Sequence, residues 1–174
     1  MELSRFIRDV PDFPKKGILF KDITPLLRDP GALAHAADAM AAPWMGRAVQ
    51  QVVGMESRGF LFGPLVAERL GAGFIPIRKP GKLPAAIIAE EYALEYGTDR
   101  LEMHQDAVAP GESILVVDDL LATGGTAGAA LKLVRKAGGK VAGASFLVEL
   151  DFLAGRAKLE GVEVHSLIHY GGNS

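Results

Sequence analysis

The chain contains no cysteine, which excludes disulfides, thiolate zinc sites and a cysteine nucleophile. No apolar run approaches the roughly 20 residues of a membrane span. The first residues, Met1-Glu2-Leu3-Ser4-Arg5-Phe6-Ile7-Arg8-Asp9, lack the apolar core of a signal peptide. Neither sign of charge predominates. Lys plus Arg number 19 against 21 Asp plus Glu, a net charge of −2, so there is no electrostatic case for nucleic-acid or anionic-membrane partners. His35, His104, His165 and His169 show no metal spacing, no Ser-His-Asp arrangement is visible, and there is no internal repeat or low-complexity tract. Cytoplasmic residence is the default expectation. What is present, 174 residues with 49% hydrophobic and 23% charged, suffices for one globular α/β domain over residues 1–174 with a substantial core.

The most informative stretch is Val116 to Thr126, V-V-D-D-L-L-A-T-G-G-T. Ile114 to Val117 is a short apolar, β-branched run, read as a buried strand. It ends in Asp118 and Asp119 and opens into a Gly-rich turn. From Ala127 to Ala137 the period becomes helical, with Ala130, Leu131, Val134 and Ala137 on one face. A loop that opens a helix presents unpaired N–H groups and the positive end of the helix dipole, which together suit an anion. Gly124 and Gly125 allow the backbone to curl into a nest, and Thr123 and Thr126 add hydroxyl donors. Two carboxylates beside a phosphate cradle would repel a bare phosphate. They make sense if they accept hydrogen bonds from neutral hydroxyls, or if a metal lies between. A ribose 5-phosphate meets the demand, its phosphate in the loop and its 2- and 3-hydroxyls on the carboxylates. An ordinary strand-to-helix turn with Asp119 near an N-cap is the plain structural alternative.

Other phosphate motifs fail. No Lys follows these glycines as a Walker loop requires, and G-x-G-x-x-G is absent from the turn; Gly71-Ala72-Gly73 precedes a strand rather than following one. S-I-L-V-V-D-D also resembles the first strand of a phospho-receiver domain, but too little chain follows Asp119 for that fold.

Elsewhere, Pro11 to Pro14 reads as irregular, Ile18 to Phe20 as a short strand, and Pro25 to Leu27 with Pro30-Gly31 as turns. Ala32 to Trp44 reads as a helix, Ala48 to Met55 as a buried strand, Phe60 to Leu70 as a helix stopped by Gly71, and Phe74 to Ile77 as a strand. Gly81 to Leu101 reads as a mobile hairpin or lid, and Val141 to Leu150 and Val164 to Ile168 as further strands. Alternating strands and helices predict a mostly parallel central sheet flanked by helices, with ligands at the carboxyl ends of the strands. Three loops should meet there: Glu56-Ser57-Arg58-Gly59, Arg78-Lys79, and Asp118 to Thr126. The first is a second anion-site candidate with a guanidinium fork. Arg78, Lys79 and Lys82 form an anion clamp or a solvated loop. A sugar with a 5-phosphate and a pyrophosphate would use all three places. Glu90, Glu91 and Glu95 sit with Tyr92 and Tyr96 in the lid stretch, where a carboxylate can act as acid or base once water is excluded.

Taken together, these segments resemble the adenine phosphoribosyltransferases, a branch of the type I phosphoribosyltransferases. The 116–126 loop is similar to the phosphoribosyl diphosphate (PRPP) motif in its adenine-family form. F-P-K-K-G-I-L-F-K-D-I-T-P-L-L at 13–27, E-S-R-G-F-L-F-G-P at 56–64, I-R-K-P-G-K-L-P at 77–84 and Y-A-L-E-Y-G at 92–97 resemble the same branch. The resemblance implies the type I fold, with a small N-terminal hood (about 1–32) and a mobile lid hairpin (about 81–104). It implies conversion of adenine and PRPP to AMP and diphosphate with Mg²⁺, in a homodimer. Ala122, Thr123, Gly124, Gly125 and Thr126 would bind the 5-phosphate, and Asp118 and Asp119 the ribose. Glu56, Ser57, Arg58, Gly59, Arg78 and Lys82 would bind diphosphate, with a cis peptide in the Glu56 loop. Phe20 and Leu120 would sandwich adenine while the backbone of Leu19 and Lys21 reads its edge. Glu95 would be the acid/base, and Mg²⁺ would come mainly through PRPP and water. Two departures stand out: Lys21 where such enzymes carry Arg beside the stacking Phe, and Pro80 where a basic residue is common. Another purine transferase of the xanthine or guanine/hypoxanthine type is the runner-up; a PRPP-binding regulator of the same fold is the non-enzymatic alternative.

Overall fold

The computed structural model describes residues 1–94 and 96–172. Among these, a five-stranded parallel sheet has the order β4-β3-β7-β8-β9, formed by Gly73–Ile77, Gln51–Met55, Ser113–Leu121, Lys140–Leu150 and Val164–Tyr170. Two antiparallel hairpins flank it: β1 (Arg8–Pro11) with β2 (Leu19–Asp22), and β5 (Ile87–Ala93) with β6 (Thr98–His104), the second tied to the end of β4 by the Arg78↔Glu102 bridge. The helices are α1 (Thr24–Arg28), α2 (Pro30–Ala41), α3 (Gly59–Leu70) and α4 (Gly125–Lys136). None of the described helices is long and apolar enough to cross a membrane.

The apolar run of β7 is continuous because the strand is covered on both faces. Ile114 and Val116 join the core under α4, with Val53, Ile77, Leu131 and Phe146. Leu115 and Val117 join the core under α2 and α3, with Val52, Phe62, Trp44 and Leu147. A register shift on β8, where Ile114 pairs with Val141 but Leu115 with Gly143, leaves Ala142 as an extra residue.

Several elements differ from the sequence reading. Pro25 to Leu27 is not a turn but lies within α1, since proline is tolerated in a helix's first turn. β7 does not stop at Val117 but runs through Leu121, so both aspartates lie inside the strand, which pairs onto β8 on either side of Asp119 at Asp118↔Phe146 and Leu120↔Val148. The helix after it starts at Gly125 rather than Ala127. The acidic side chains and glycines that mark these boundaries in the sequence do not mark the end of backbone pairing. β1 and the 3₁₀ turns Asp151–Leu153 and Gly155–Leu159 carry no periodic signal.

This topology places the site. From β3 the chain crosses by α3 to β4 on one side; from β7 it crosses by α4 to β8 on the other. The loops leaving two adjacent parallel strands diverge, and the crevice between them is where an open α/β sheet takes its ligand.

Candidate active site

The two helices that start in this crevice have no side-chain caps, whereas α2, away from it, is capped by Asp29, which accepts from Ala32 N at 2.8 Å. In α4 the first intrahelical bond is from Gly128 N–H to Gly124 O at 2.8 Å, so the N–H groups before it face outward. In α3 Phe60 and Leu61 already donate to Ser57 O and Arg58 O, and both positively polarised helix ends open onto one cleft. The β7–α4 loop lines a cavity of about 220 Å³ bounded by Arg58, Asp118, Asp119 and the chain from Leu120 to Ala127. A larger cavity of about 450 Å³, between residues 1–4, α2 and β9, lies away from these strand ends.

Gly124 is the N-cap of α4 at φ +83°, and a Cβ there would lie 2.3 Å from Gly155 O. The 3₁₀ segment after β8 thus buttresses the loop from behind, a supporting role for Gly155 that no motif in the sequence announces. Gly124→Ala should therefore combine left-handed strain with a backbone clash and destabilise by about 2 kcal/mol or more, visible as a lower unfolding temperature.

Arg58, between β3 and α3, organises the acidic pair. Its Nε lies 2.9 Å from Asp119 Oδ2, and its guanidinium carbon is 5.7 Å from the centroid of the Phe20 ring. Asp119 is 4% exposed; Asp118 Oδ1 accepts from the Asp119 N–H at 2.9 Å and faces Gly59, where a Cβ would lie 3.1 Å away. Burial and then the neighbouring Asp119 charge push the Asp118 carboxyl well above the ordinary carboxylate range. Burial also raises Asp119, against the opposing pull of Arg58. With one donor each, Arg58 on Asp119 and the Asp119 N–H on Asp118, the two carboxylates keep lone pairs for further donors such as hydroxyls.

The loop after β4 supplies the cations. Burial would push Glu56 up, but Lys82 Nζ at 2.8 Å, the Lys79 N–H at 2.7 Å and the Arg78 guanidinium at 3.3 Å together hold it below the usual carboxylate range. Glu56 thus gathers the basic loop against the start of α3, and its peptide with Ser57 is cis. Lys79 is drawn instead to the β5–β6 hairpin, where it donates to Asp99 and, at 3.3 Å, to the Tyr92 hydroxyl. Tyr92 lies against the phosphate-loop side: its hydroxyl is 3.5 Å from Thr126 Oγ1, and its ring would meet a Cβ on Gly125 at 3.3 Å. The Asp99 and Tyr92 contacts carry no sequence signal, because their partners lie on other elements.

The family model for the phosphoribosyl transferase domain matches residues 34–166. The adenine phosphoribosyltransferase of Thermobifida fusca is 58% identical over 165 residues, covering 95% of this chain and 94% of that protein. The chain belongs to the adenine phosphoribosyltransferase family. Its fold is that of solved members. The Thermoanaerobacter pseudethanolicus enzyme superposes with TM-score 0.94 at 54% identity, covering 97% of this chain and 98% of that one. The Saccharomyces cerevisiae enzyme, solved with adenine and an imino-altritol bisphosphate, gives 0.88 at 40%, covering 96% of each chain.

In this adenine phosphoribosyltransferase-family chain the expected residues converge. Arg58 brings Phe20 of β2 to Asp119 of β7; half-buried Leu120 follows in the same strand; Ala122 to Thr126 close the cavity. Arg78 and Lys82 meet Glu56 rather than standing free. Glu95 lies outside the described residues. Among the described residues, the one group able to gather three metal-ligating side chains, Glu149, Asp151 and His169, is elsewhere. Its Glu149 is already filled by Arg156 at 2.7 and 2.8 Å and by Ser166 at 2.6 Å.

Proposed function

We propose that the protein transfers the 5-phosphoribosyl group of PRPP to N9 of adenine, releasing diphosphate and forming AMP. The observation that supports it best is the Arg58 bridge, which ties an aromatic face to a buried aspartate pair between two uncapped helix starts. An aromatic ring suits a base, a carboxylate pair suits a diol, and amides at a helix mouth suit a phosphate.

In this reading the Ala122–Thr126 backbone and the Thr123 and Thr126 hydroxyls hold the 5-phosphate. Asp118 and Asp119 accept the 2- and 3-hydroxyl hydrogens. The amides of residues 56–59 with Arg58, Arg78 and Lys82 hold the diphosphate as it leaves with its charge. Breaking the C1–O bond first leaves an oxocarbenium-like ribose that moves a short way to a base already in place, so positioning carries much of the rate. Phe20 and Leu120 hold the purine plane. In an extended strand the C=O of residue i and the N–H of residue i+2 point to one edge, so Leu19 and Lys21 offer an acceptor–donor pair to adenine's amino group and N1. Glu95 exchanges the purine N7 proton, and the β5–β6 hairpin closes to exclude water.

Mg²⁺ suits the oxygen-only donors of the cleft, since it favours substrate phosphates, waters and one or two carboxylates over a dedicated cage. Asp118 and Asp119 would meet it through the ribose hydroxyls and water. When bound, it neutralises part of the diphosphate charge. The working form is a cytoplasmic homodimer, the dimer being checked by sedimentation equilibrium.

The direct test is AMP formation from adenine and PRPP with Mg²⁺; no nucleotide under these conditions refutes the proposal. Glu95→Gln should lower kcat by about a hundredfold with little change in diphosphate affinity. An unchanged kcat would remove Glu95 from the mechanism.

A further inference from the structure

Among the described residues the hood does not join the central sheet: β1 and β2 pair with each other. Something else must hold β2, with the base-stacking Phe20, over the ribose site. Successive side chains of a strand point to opposite faces, and here the two faces grip different bodies. Phe20 lies over Arg58. Lys21, the next residue, sits with its ammonium 3.9 Å from the centroid of the Tyr170 ring, at the last residue of edge strand β9.

The Lys21 side chain is only 7% exposed, and its Nζ donates at 2.7 Å to Asp9 Oδ1, the cross-strand partner on β1. An ammonium so covered must be paired; Asp9 supplies the charge and the ring face supplies the rest. Tyr170 is itself fixed, paired to Leu150 of β8 and packed against the core beneath α2.

We propose that Lys21 and Tyr170 are positioning residues for base recognition: their contact fastens the hood to the end of β9 and so fixes the Phe20 ring and the Leu19–Lys21 backbone over the ribose site. The inference rests on the adenine transfer proposed above. It also gives the Lys21 side chain a task that does not touch the base. The 5-phosphate loop belongs to other elements; the diphosphate loop meets the hood at Arg58 and Phe20, but its Arg78 and Lys82 are held by Glu56 rather than by this fastening.

Steady-state kinetics with adenine and PRPP varied in turn test it, using wild type, Tyr170→Phe, Tyr170→Leu, Lys21→Met and the double variant. Tyr170→Phe keeps the ring face and should stay within about twofold of wild type. Tyr170→Leu and Lys21→Met should each raise the KM for adenine about tenfold and leave the KM for PRPP unchanged, the latter showing that the site is still folded. The double variant should be no worse than the weaker single variant, because both remove one contact. Active wild type with unaltered adenine KM in both single variants overturns the inference alone. Equal rises in both KM values, or a loss in Tyr170→Phe equal to that in Tyr170→Leu, overturn it as well. A wild type that forms no nucleotide overturns the proposed function and this inference with it.

Discussion

Replacing Asp118 and Asp119 together by Asn should lower kcat/KM by about a thousandfold, while Asp118→Asn alone should make the unliganded protein more stable at neutral pH. The first effect follows from the hydrogen bonds that ionised carboxylates accept from a diol: bonds to charged groups contribute about 1.5–3 kcal/mol each, and 1.4 kcal/mol is a factor of ten. The second follows from the cost of burying two adjacent carboxylates. Burial and the adjacent Asp119 charge raise the Asp118 carboxyl well above its ordinary 3.8. For an acid raised in the folded state, the fold favours the protonated form. Stability is therefore greatest below 3.8 and is lost as pH climbs from there through the folded-state value. Asparagine retains an oxygen to accept from the Asp119 N–H and removes the repulsion. Each kcal/mol recovered raises the unfolding temperature by about 2–4 °C. Thermal unfolding at several pH values, beside kinetics, checks both effects. A variant both inactive and destabilised would mean that Asp118 supports the fold rather than the sugar.

Adenine should outperform hypoxanthine and guanine by about a thousandfold or more in kcat/KM. Those bases present a 6-carbonyl acceptor and an N1–H donor, the reverse of adenine. Against the Leu19 C=O and Lys21 N–H, two acceptors and two donors would then confront each other. Sites built to hydrogen-bond one pattern reject the analogue lacking it by about 10⁴ or more, because buried groups left unpaired carry their full desolvation cost. Backbone cannot be mutated to accept the other base, but a base panel with PRPP and Mg²⁺ reads the same property. Equal rates with guanine or hypoxanthine would replace the adenine reading with a broader purine transferase; binding of PRPP without turnover of any base would point to a regulator.

Much of this site was legible in the chain because its parts are local. The acidic pair, the two glycines and the helical period that follows lie within a dozen residues, and each has a direct physical reading. The Arg58 loop was legible for the same reason. What escaped was long-range: Arg58 reaching both Phe20 and Asp119, Glu56 gathering Lys82 and the Lys79 amide, Asp99 holding Lys79, and Tyr170 covering Lys21. Such pairs are created by the strand order, which no window of sequence contains. The boundary errors share one cause. Polar residues at strand ends and proline near helix starts resemble breaks, yet Asp118 and Asp119 keep their place in β7 and Pro25 lies in the first turn of α1.

The most direct test is a crystal structure of the protein with AMP. The expected result has the 5-phosphate among the amides of residues 122–126, both ribose hydroxyls within hydrogen-bond distance of Asp118 and Asp119, and the purine against Phe20. A nucleotide whose phosphate lies outside that loop, or whose ribose leaves the two aspartates unmet, would contradict it.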